Sequence, residues 1–489
     1  MDRAKGGGRS AAHSSDDALY ARFLLRDRAD DGKFLTGVLS TGIYCLPSCP
    51  AKRPKRDNVR FFQTPEEARR NGLRACFRCR PDSFYRGEEF HETLFEQTAA
   101  RVRGNPGAFR AIPDIARAAG LSRTALNDLF RDHAHESPGA FLRRVRAEFV
   151  CHLMENGHKT ADAAAEAGYG SASAFHEQFV ARTGMTPAAW STLASESEFT
   201  LRLPPGYRTR EILAFFGRDR ESVSERVRED GFTKCFESGG RLVVVDISFQ
   251  GNLAICRTDP GCGYAAHRAA IRMLGLDSDA DSFERQFCMD DPLGALFRRQ
   301  RGLRIPLTPE PWEALGWAII GQQISLQSAV AIRRALIEAL GRIHEATGLR
   351  AFPTAEAIAG ADLALLRQAK FSASKAEYLI AAARAVTSGE MPIARIRQLS
   401  ARHAARLLRA IRGVGPWTIQ YVFLRGAGFA DCLPAGDAGL ARGLGAITGE
   451  RPDEAGVRAA LDRFAPFRSL AACHVWASLN NEGGEKHDD

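Results

Sequence analysis

Four of the eleven cysteines stand in two close pairs, Cys45-x3-Cys49 and Cys76-x2-Cys79, and this spacing constrains the fold of the 489-residue chain more than any other feature. Each short spacing lets one turn of backbone aim two thiolates at one ion. Two such pairs separated by a loop are what a tetrahedral four-sulfur zinc site requires. The stretch around them is therefore expected to be a small domain stapled by one Zn2+. Four thiolates on one Zn2+ leave a formal double negative charge, which keeps each sulfur ionised and nucleophilic at neutral pH. The spacing alone leaves open whether the metal only staples the domain or also holds a reactive thiolate. The other cysteines, Cys151, Cys235, Cys256, Cys262, Cys288, Cys432 and Cys473, are scattered and form no ligand pattern.

A chain of 489 residues is too long for a single core; at ~100–200 residues per domain it should hold about three to five units. With 45% hydrophobic and 26% charged residues, wholesale disorder is excluded. No segment approaches the ~18 uncharged residues of a membrane span, and the start of the chain lacks the apolar middle of a signal peptide. The expectation is a soluble, cytoplasmic protein without membrane partners. There are 67 basic and 58 acidic residues, a net charge of +9, and such an excess favours polyanions such as nucleic acid.

The chain reads as multidomain and mainly α. Residues 1–15 and 481–489 are expected to be disordered tails, and 16–92 to be the zinc domain. Between 93 and 193 apolar residues recur at helical spacing, broken by Gly120, Gly157, Gly168 and Gly184, which predicts an all-α region. Within it Asp114-Ile-Ala-Arg-Ala-Ala-Gly-Leu-Ser and Asp162-Ala-Ala-Ala-Glu-Ala-Gly-Tyr-Gly-Ser repeat one plan: a helix, a glycine turn and a Ser-started second helix. Residues 198–290 read as mixed α/β, with strands at Arg241–Phe249 and Asn252–Cys256 paired around Gln250-Gly251. From 291 to 480 helices return. Residues 191–200 read as a linker, so the two halves are expected to act independently.

The text around the cysteines, Thr41-Gly-Ile-Tyr-Cys45-Leu-Pro-Ser-Cys49-Pro-Ala-Lys and Arg74-Ala-Cys76-Phe-Arg-Cys79-Arg-Pro-Asp, closely resembles the amino-terminal domain of the Ada adaptive-response family, over about 16–92. The resemblance implies a small α/β zinc domain in which Cys45 irreversibly accepts a methyl group from a DNA methylphosphotriester, with Cys49, Cys76 and Cys79 as the other ligands. A methylated phosphate is neutral, so an anionic sulfur can approach it. Turning Cys45 into a thioether then removes negative charge and should tighten DNA binding, a switch. The basic run Lys52, Arg53, Lys55 and Arg56 stands where it could hold phosphates, or could be a solvated loop.

The doubled helix-turn-helix of 93–193, with candidate recognition helices Ser122–Asp132 and Ser171–Thr183 and the ending Phe175–Trp190, resembles the AraC family of regulators. That implies transcriptional activation at promoter sites, with RNA polymerase as a partner. Arg123 and Asn127 are the candidate DNA contacts; the second helix, with Ala172, Ala174 and His176, is poorer in readers.

Three features converge in the carboxyl half: the helix-turn-helix Leu408-Arg-Ala-Ile-Arg-Gly413-Val-Gly415-Pro-Trp417-Thr-Ile-Gln-Tyr421, the run Leu433-Pro-Ala-Gly-Asp437-Ala-Gly-Leu, and tryptophans 312, 317, 417 and 476. A Gly-x-Gly turn exposes helix-start N–H groups to a phosphate. With Ala318-Ile-Ile-Gly-Gln-Gln323-Ile-Ser and Pro466–Trp476, the text from about 198 to 480 resembles the AlkA-type 3-methyladenine DNA glycosylases II of the helix-hairpin-helix superfamily. The resemblance implies a small α/β (TBP-like) domain followed by an all-α glycosylase domain acting on double-stranded DNA. On this chain Asp437 is the candidate catalytic carboxylate, with Asp431 a nearby rival. Trp417, Tyr421 and Trp476 are the base pocket, Gly413, Gly415 and Thr418 the hairpin contacts, with a monovalent cation at the hairpin, and Trp312 and Trp317 are assigned to the core. A flipped, cationic base would be held by stacking and cation–π attraction, ~0.5–2 kcal/mol per contact.

Two positions depart from the family pattern. Ala438 follows the catalytic aspartate where an aromatic is common, and Gln323 stands at the wedge position in place of leucine. Trp417 replaces the lysine of bifunctional relatives, so a monofunctional hydrolase without lyase activity is expected. Neither an iron–sulfur cysteine loop nor the Pro-Cys-His-Arg of the second Ada acceptor domain is present. The reading is a monomeric, nucleoid-associated bacterial fusion of sensor and repair enzyme. The alternative is a DNA-binding regulator whose glycosylase half only binds damage.

Overall fold

The computed structural model describes residues 9–27, 30–87, 89–289 and 293–482. The chain divides into a unit ending at Leu94 and a larger one beginning at Phe95. Of the expected disordered tails, 1–8 and 483–489 lie outside the described residues. Residues 9–15, by contrast, are the first turns of a helix, Arg9–Leu25, and 481–482 close the last helix, Arg468–Glu482.

The first unit is built on a four-stranded sheet, β1 (Leu35–Val38), β2 (Ile43–Cys45), β3 (Val59–Phe62) and β4 (Arg74–Ala75), in the order β3-β1-β2-β4. β1 is antiparallel to β2 and β3, whereas β2 and β4 run parallel. Gly37 permits the closest packing: a Cβ there would lie 2.4 Å from the Phe62 ring and 2.5 Å from Leu73. The apolar clusters are small, one around Leu35, Tyr44, Leu46, Phe62 and Leu73 and another around Phe23, Phe34 and Val59.

In the second unit the repeated plan folds as two helix-turn-helix pairs, Ile112–Ala119 with Arg123–Ala134 and Thr160–Glu166 with Ala172–Thr183, bridged by Pro138–Glu155. Gly120 and Gly168 take φ of +65° and +79°, a region glycine enters without a Cβ penalty. The hydroxyls of Ser122 and Ser171 each accept a backbone N–H at 3.2 Å, from Ala125 and Ala174, and so cap the second helices.

The linker reading of 191–200 fails. The helix Pro187–Thr192 is followed, after a short turn, by a strand, and Trp190 and Leu193 are buried in one core with Phe179, Phe199, Leu201, Ala266 and Met273. His267 Nε2 lies 2.7 Å from the Thr183 carbonyl, and Arg268 and Arg182 make ion pairs with Glu155 and Asp277 across the same seam. The alternation of Phe199 and Leu201 with exposed polar residues is a strand pattern whose apolar face needs a partner, and the helix-turn-helix half supplies it. The helix-turn-helix region and the sheet thus share one core, where a flexible joint between them was expected.

That strand, β5 (Glu198–Arg202), belongs to a five-stranded antiparallel sheet with β6 (Glu225–Arg228), β7 (Gly231–Ser238), β8 (Arg241–Gln250) and β9 (Leu253–Thr258), ordered β5-β9-β8-β7-β6. Only β8 and β9 are anticipated by the sequence. A buried charge cluster ties the sheet to the helices beyond it. Lys234 Nζ lies 2.7 Å from Glu225 and 3.0 Å from Glu313, and Arg333 reaches the same two carboxylates at 2.6 and 2.7 Å. Each buried charge is thereby paired and hydrogen-bonded. The remaining helices enclose a core running from Ala280 to Ala477.

Candidate active site and metal centre

Parallel pairing of β2 with β4 sets Tyr44 opposite Ala75, so the next residues on each strand, Cys45 and Cys76, emerge side by side. Cys49 follows on a turn closed by its N–H to the Leu46 carbonyl at 3.1 Å, and Arg80 N–H to Cys76 O at 2.9 Å folds Cys79 back. All four sulfurs lie within 4.8 Å of one another, and Cys45, Cys49 and Cys76 are buried. The Leu46 N–H donates to Cys79 Sγ at 3.4 Å. Taken by themselves the sulfurs can only share protons: hydrogen bonding among them lowers the pKa of Cys76 and raises that of Cys45 and Cys79. A buried set of four soft donors needing positive charge fits Zn2+.

The basic run divides. Lys52 and Lys55 are exposed. Arg53 instead stacks on Phe23 at 3.8 Å and donates to Pro47 O at 3.1 Å, and Arg56 pairs with Asp17 at 2.8 Å and donates to Val59 O. Expected as phosphate contacts, these two arginines hold the domain together. In the helix-turn-helix region Arg123 and Asn127 are exposed. The far end of that helix is docked on the start of the hairpin's first helix, with His133 Nδ1 2.7 Å from the hydroxyl of buried Ser400 and Asp132 accepting from Arg402 at 3.1 Å.

The hairpin joins helix Ala401–Ala410 to Pro416–Tyr421, which runs on through π-wound Val422–Ala427. Gly413, at φ +86°, packs under Tyr378, where a Cβ would come within 2.2 Å of the ring. Gln322 braces the turn: its Nε2 donates to Gly413 O at 2.8 Å and to Thr418 Oγ1 at 3.0 Å. Thr418 is 2% exposed, its hydroxyl held by Gln322, and it borders the cleft together with Gly415.

Behind the hairpin opens a cleft of about 1840 Å³. Asp437 lies in it as the N-cap of helix Ala438–Thr448, and three donors converge on its carboxylate. Trp417 Nε1 reaches Oδ2 at 3.0 Å, Trp476 Nε1 reaches Oδ1 at 2.9 Å, and the Leu440 N–H reaches Oδ1 at 2.9 Å. Tyr421 stands 5.3 Å from Trp417, ring centre to ring centre. Asp431 is bound bidentately by Arg468 at 2.7 and 2.9 Å and lies outside the cleft. Gln323 is at the rim with φ +55°, next to exposed Ile324 and Leu326, and Ala438 also borders the cleft. Trp312 is core, its indole bonded to Pro353 O, but Trp317 also forms cleft wall. Phe215, Arg218 and Arg425 complete that wall. Sequence reasoning missed them because Phe215 and Arg218 come from the α/β region and Arg425 from beyond the hairpin.

Three family models match the chain in order: the metal binding domain of Ada over residues 18–82, a helix-turn-helix domain over 115–192, and the HhH-GPD superfamily base excision DNA repair protein over 317–466. A DNA-3-methyladenine glycosylase of Bacillus subtilis is 31% identical over 42% of this chain and 69% of its own length. The chain belongs to the HhH-GPD superfamily of base excision DNA repair proteins. This HhH-GPD protein carries its Ada-type and helix-turn-helix segments in the same chain. In that respect it is similar to a probable bifunctional transcriptional activator/DNA repair enzyme AlkA of Mycobacterium tuberculosis, 28% identical over 96% of this chain and 97% of the relative. In fold, the carboxyl part is like a 3-methyladenine DNA-glycosylase from Archaeoglobus fulgidus, with a TM-score of 0.52 at 24% identity, covering 57% of this chain and 97% of that one. Among the described residues no helix is long and apolar enough to cross a membrane.

Proposed function

We propose that this chain is a monofunctional glycosylase for alkylated bases in double-stranded DNA, joined to a methyl-accepting transcriptional activator. The observation that carries the first part is the carboxylate of Asp437, held by two indole N–H groups and one backbone N–H inside an aromatic-walled cleft. A base flipped from the duplex enters beside Trp417, Tyr421 and Trp476. The C1′–N bond breaks with its electron pair on the departing base. Asp437, fixed in orientation, stabilises the oxocarbenium-like sugar and takes the proton of the water that adds to C1′. Gly413 and Gly415 bring backbone against a phosphate, and Gln323 fills the gap left by the base, with Ile324 and Leu326 beside it. Trp417 offers no amine for a Schiff base, so the sugar stays unattached to the protein. The test is base release from alkylated duplex DNA. Asp437→Asn should slow single-turnover release by on the order of a hundredfold or more; an unimpaired variant sinks the assignment.

In the amino-terminal unit Cys45, Cys49, Cys76 and Cys79 would hold Zn2+, which when bound keeps the sulfurs ionised. The Cys45 sulfur attacks the methyl carbon of a methylphosphotriester. The carbon–oxygen bond breaks with its pair on oxygen, leaving a thioether and an ordinary phosphodiester. Loss of the thiolate charge strengthens DNA binding, and the helix-turn-helix region, through Arg123 and Asn127, reads promoter DNA and recruits RNA polymerase. Mass spectrometry of the treated chain should find one methyl on Cys45 and none on Cys45→Ala.

A further inference from the structure

Three aromatic faces of the cleft, those of Phe215, Trp317 and Trp476, already carry cations. Arg218 lies 4.1 Å from the centre of the Phe215 ring and 4.5 Å from that of Trp317, and Arg425 lies 4.6 Å from Phe215 and 5.2 Å from Trp476. Trp476 is one of the two rings whose N–H holds Asp437. Arg425 is 7% exposed, gives one N–H to Pro306 O at 2.9 Å, and keeps a buried Nε without a partner. Burial lowers the pKa of Arg218, yet a guanidinium stays charged at any physiological pH. The cleft that contains Asp437 therefore has the guanidinium groups of Arg218 and Arg425 in its wall, on the faces of its aromatic rings.

We propose that Arg218 is a specificity-determining residue that turns this cleft toward uncharged damaged bases bearing ring-nitrogen or carbonyl acceptors, and away from cationic N-methylpurines. The inference rests on the glycosylase reading and narrows its substrate class. A cationic base leaves as a neutral molecule, so no negative charge develops on it, and a nearby guanidinium only repels it in the ground state. A neutral base leaves with the electron pair of the C1′–N bond and must be stabilised as an anion until it takes a proton from solvent. Fixed N–H donors aimed at that charge act mainly in the transition state, where stabilisation raises the rate. The cation–π capacity of Phe215, Trp317 and Trp476, which in an arginine-free pocket would serve a cationic base, is spent on the protein's own side chains.

The experiment uses the full zinc-loaded chain and duplex oligonucleotides carrying a single 1,N6-ethenoadenine (uncharged) or a single 7-methylguanine (cationic). Single-turnover release is compared for wild type, Arg218→Ala and Arg218→Lys, with thermal melting confirming that each variant folds. The expected result is a fall of at least tenfold in the ethenoadenine-to-methylguanine rate ratio for Arg218→Ala, partly restored by Arg218→Lys, which keeps the charge. An unchanged ratio, including a parallel slowing on both substrates, overturns the inference and leaves Arg218 as wall, with the glycosylase reading intact. If the wild-type chain releases neither base, the glycosylase reading falls and this inference with it.

Discussion

The cysteine tetrad and the aromatic cleft each organise one reactive anion, and they are held in place by opposite means. Around the tetrad the apolar clusters are small, and the four ligands come from two strand ends and the turns after them. Around the cleft a continuous core from Ala280 to Ala477 and the Glu225, Lys234, Glu313 and Arg333 cluster fix the walls before any ligand arrives. A small domain that cannot bury enough apolar surface leans on its metal, whereas a large one can afford a preformed cavity. The ligand is part of the fold in the first case and a visitor in the second.

The largest effect should come from removing the metal. A strong chelator is expected to unfold the β1–β4 unit, at a cost on the order of 10 kcal/mol, while the unit from Phe95 onward keeps its amide protection. Hydrogen exchange resolved by segment checks this. Protection of β1–β4 that survives chelation would break the comparison.

Acid should reach the large unit as well, through its buried histidines. His267 and His474 are 3% and 0% exposed, and burial pushes their pKa values down to about 4 and about 3. Both lie below the ~6.5 of an unfolded histidine, so the fold favours the neutral ring. The resulting stability is complete above about pH 6.5 and drains as pH falls toward 4, with a limit of about 3 kcal/mol or more per ring. Melting of the large unit measured between pH 7.5 and 4.5 should show the loss, and His267→Gln should reduce it; a flat profile would contradict the burial. Since His267 bonds the Thr183 carbonyl, the seam joining the helix-turn-helix region to the sheet should loosen first.

A smaller effect is expected at the indoles. Trp417→Phe and Trp476→Phe keep a ring but remove an N–H to Asp437, and a hydrogen bond to a charged group is worth ~1.5–3 kcal/mol. Each should slow base release about tenfold or somewhat more, without touching methyl transfer to Cys45. Base release left unchanged would show that packing alone positions the carboxylate.

What could be read in the sequence follows the same division. The tetrad was legible because a metal's ligands are local and chemically restricted, and the doubled helix-turn-helix because Ser122, Gly120, Ser171 and Gly168 mark caps and turns. Asp437, Trp417 and Trp476 stood out through family resemblance; that both indoles point at one carboxylate did not, since three separate helices bring them together. Phe215, Arg218 and Arg425 were invisible for the same reason. The supposed linker misled because the run Ala194-Ser-Glu-Ser-Glu198, small or charged throughout, masks the apolar pattern of Trp190, Leu193, Phe199 and Leu201 on either side.

The smallest effect separates the two kinds of basic residue beside the tetrad. Lys52 and Lys55 are exposed, while Arg53 and Arg56 are engaged with Phe23, Pro47, Asp17 and Val59. A lysine on a phosphate contributes about one released counterion, so Lys52→Ala and Lys55→Ala should each lower the slope of log affinity against log salt by about one on methylphosphotriester duplex DNA, with little change in melting. Arg53→Ala should do the reverse, because it removes a half-buried stacked side chain: the amino-terminal unit melts earlier and the slope hardly moves. If Arg53→Ala lowers the slope as the lysine variants do, the run is one phosphate-binding strip and the arginines are not part of the domain's scaffold. If neither lysine changes it, the DNA contact of the zinc unit lies on another face, and the exposed pair is the solvated loop that its charge alone would suggest.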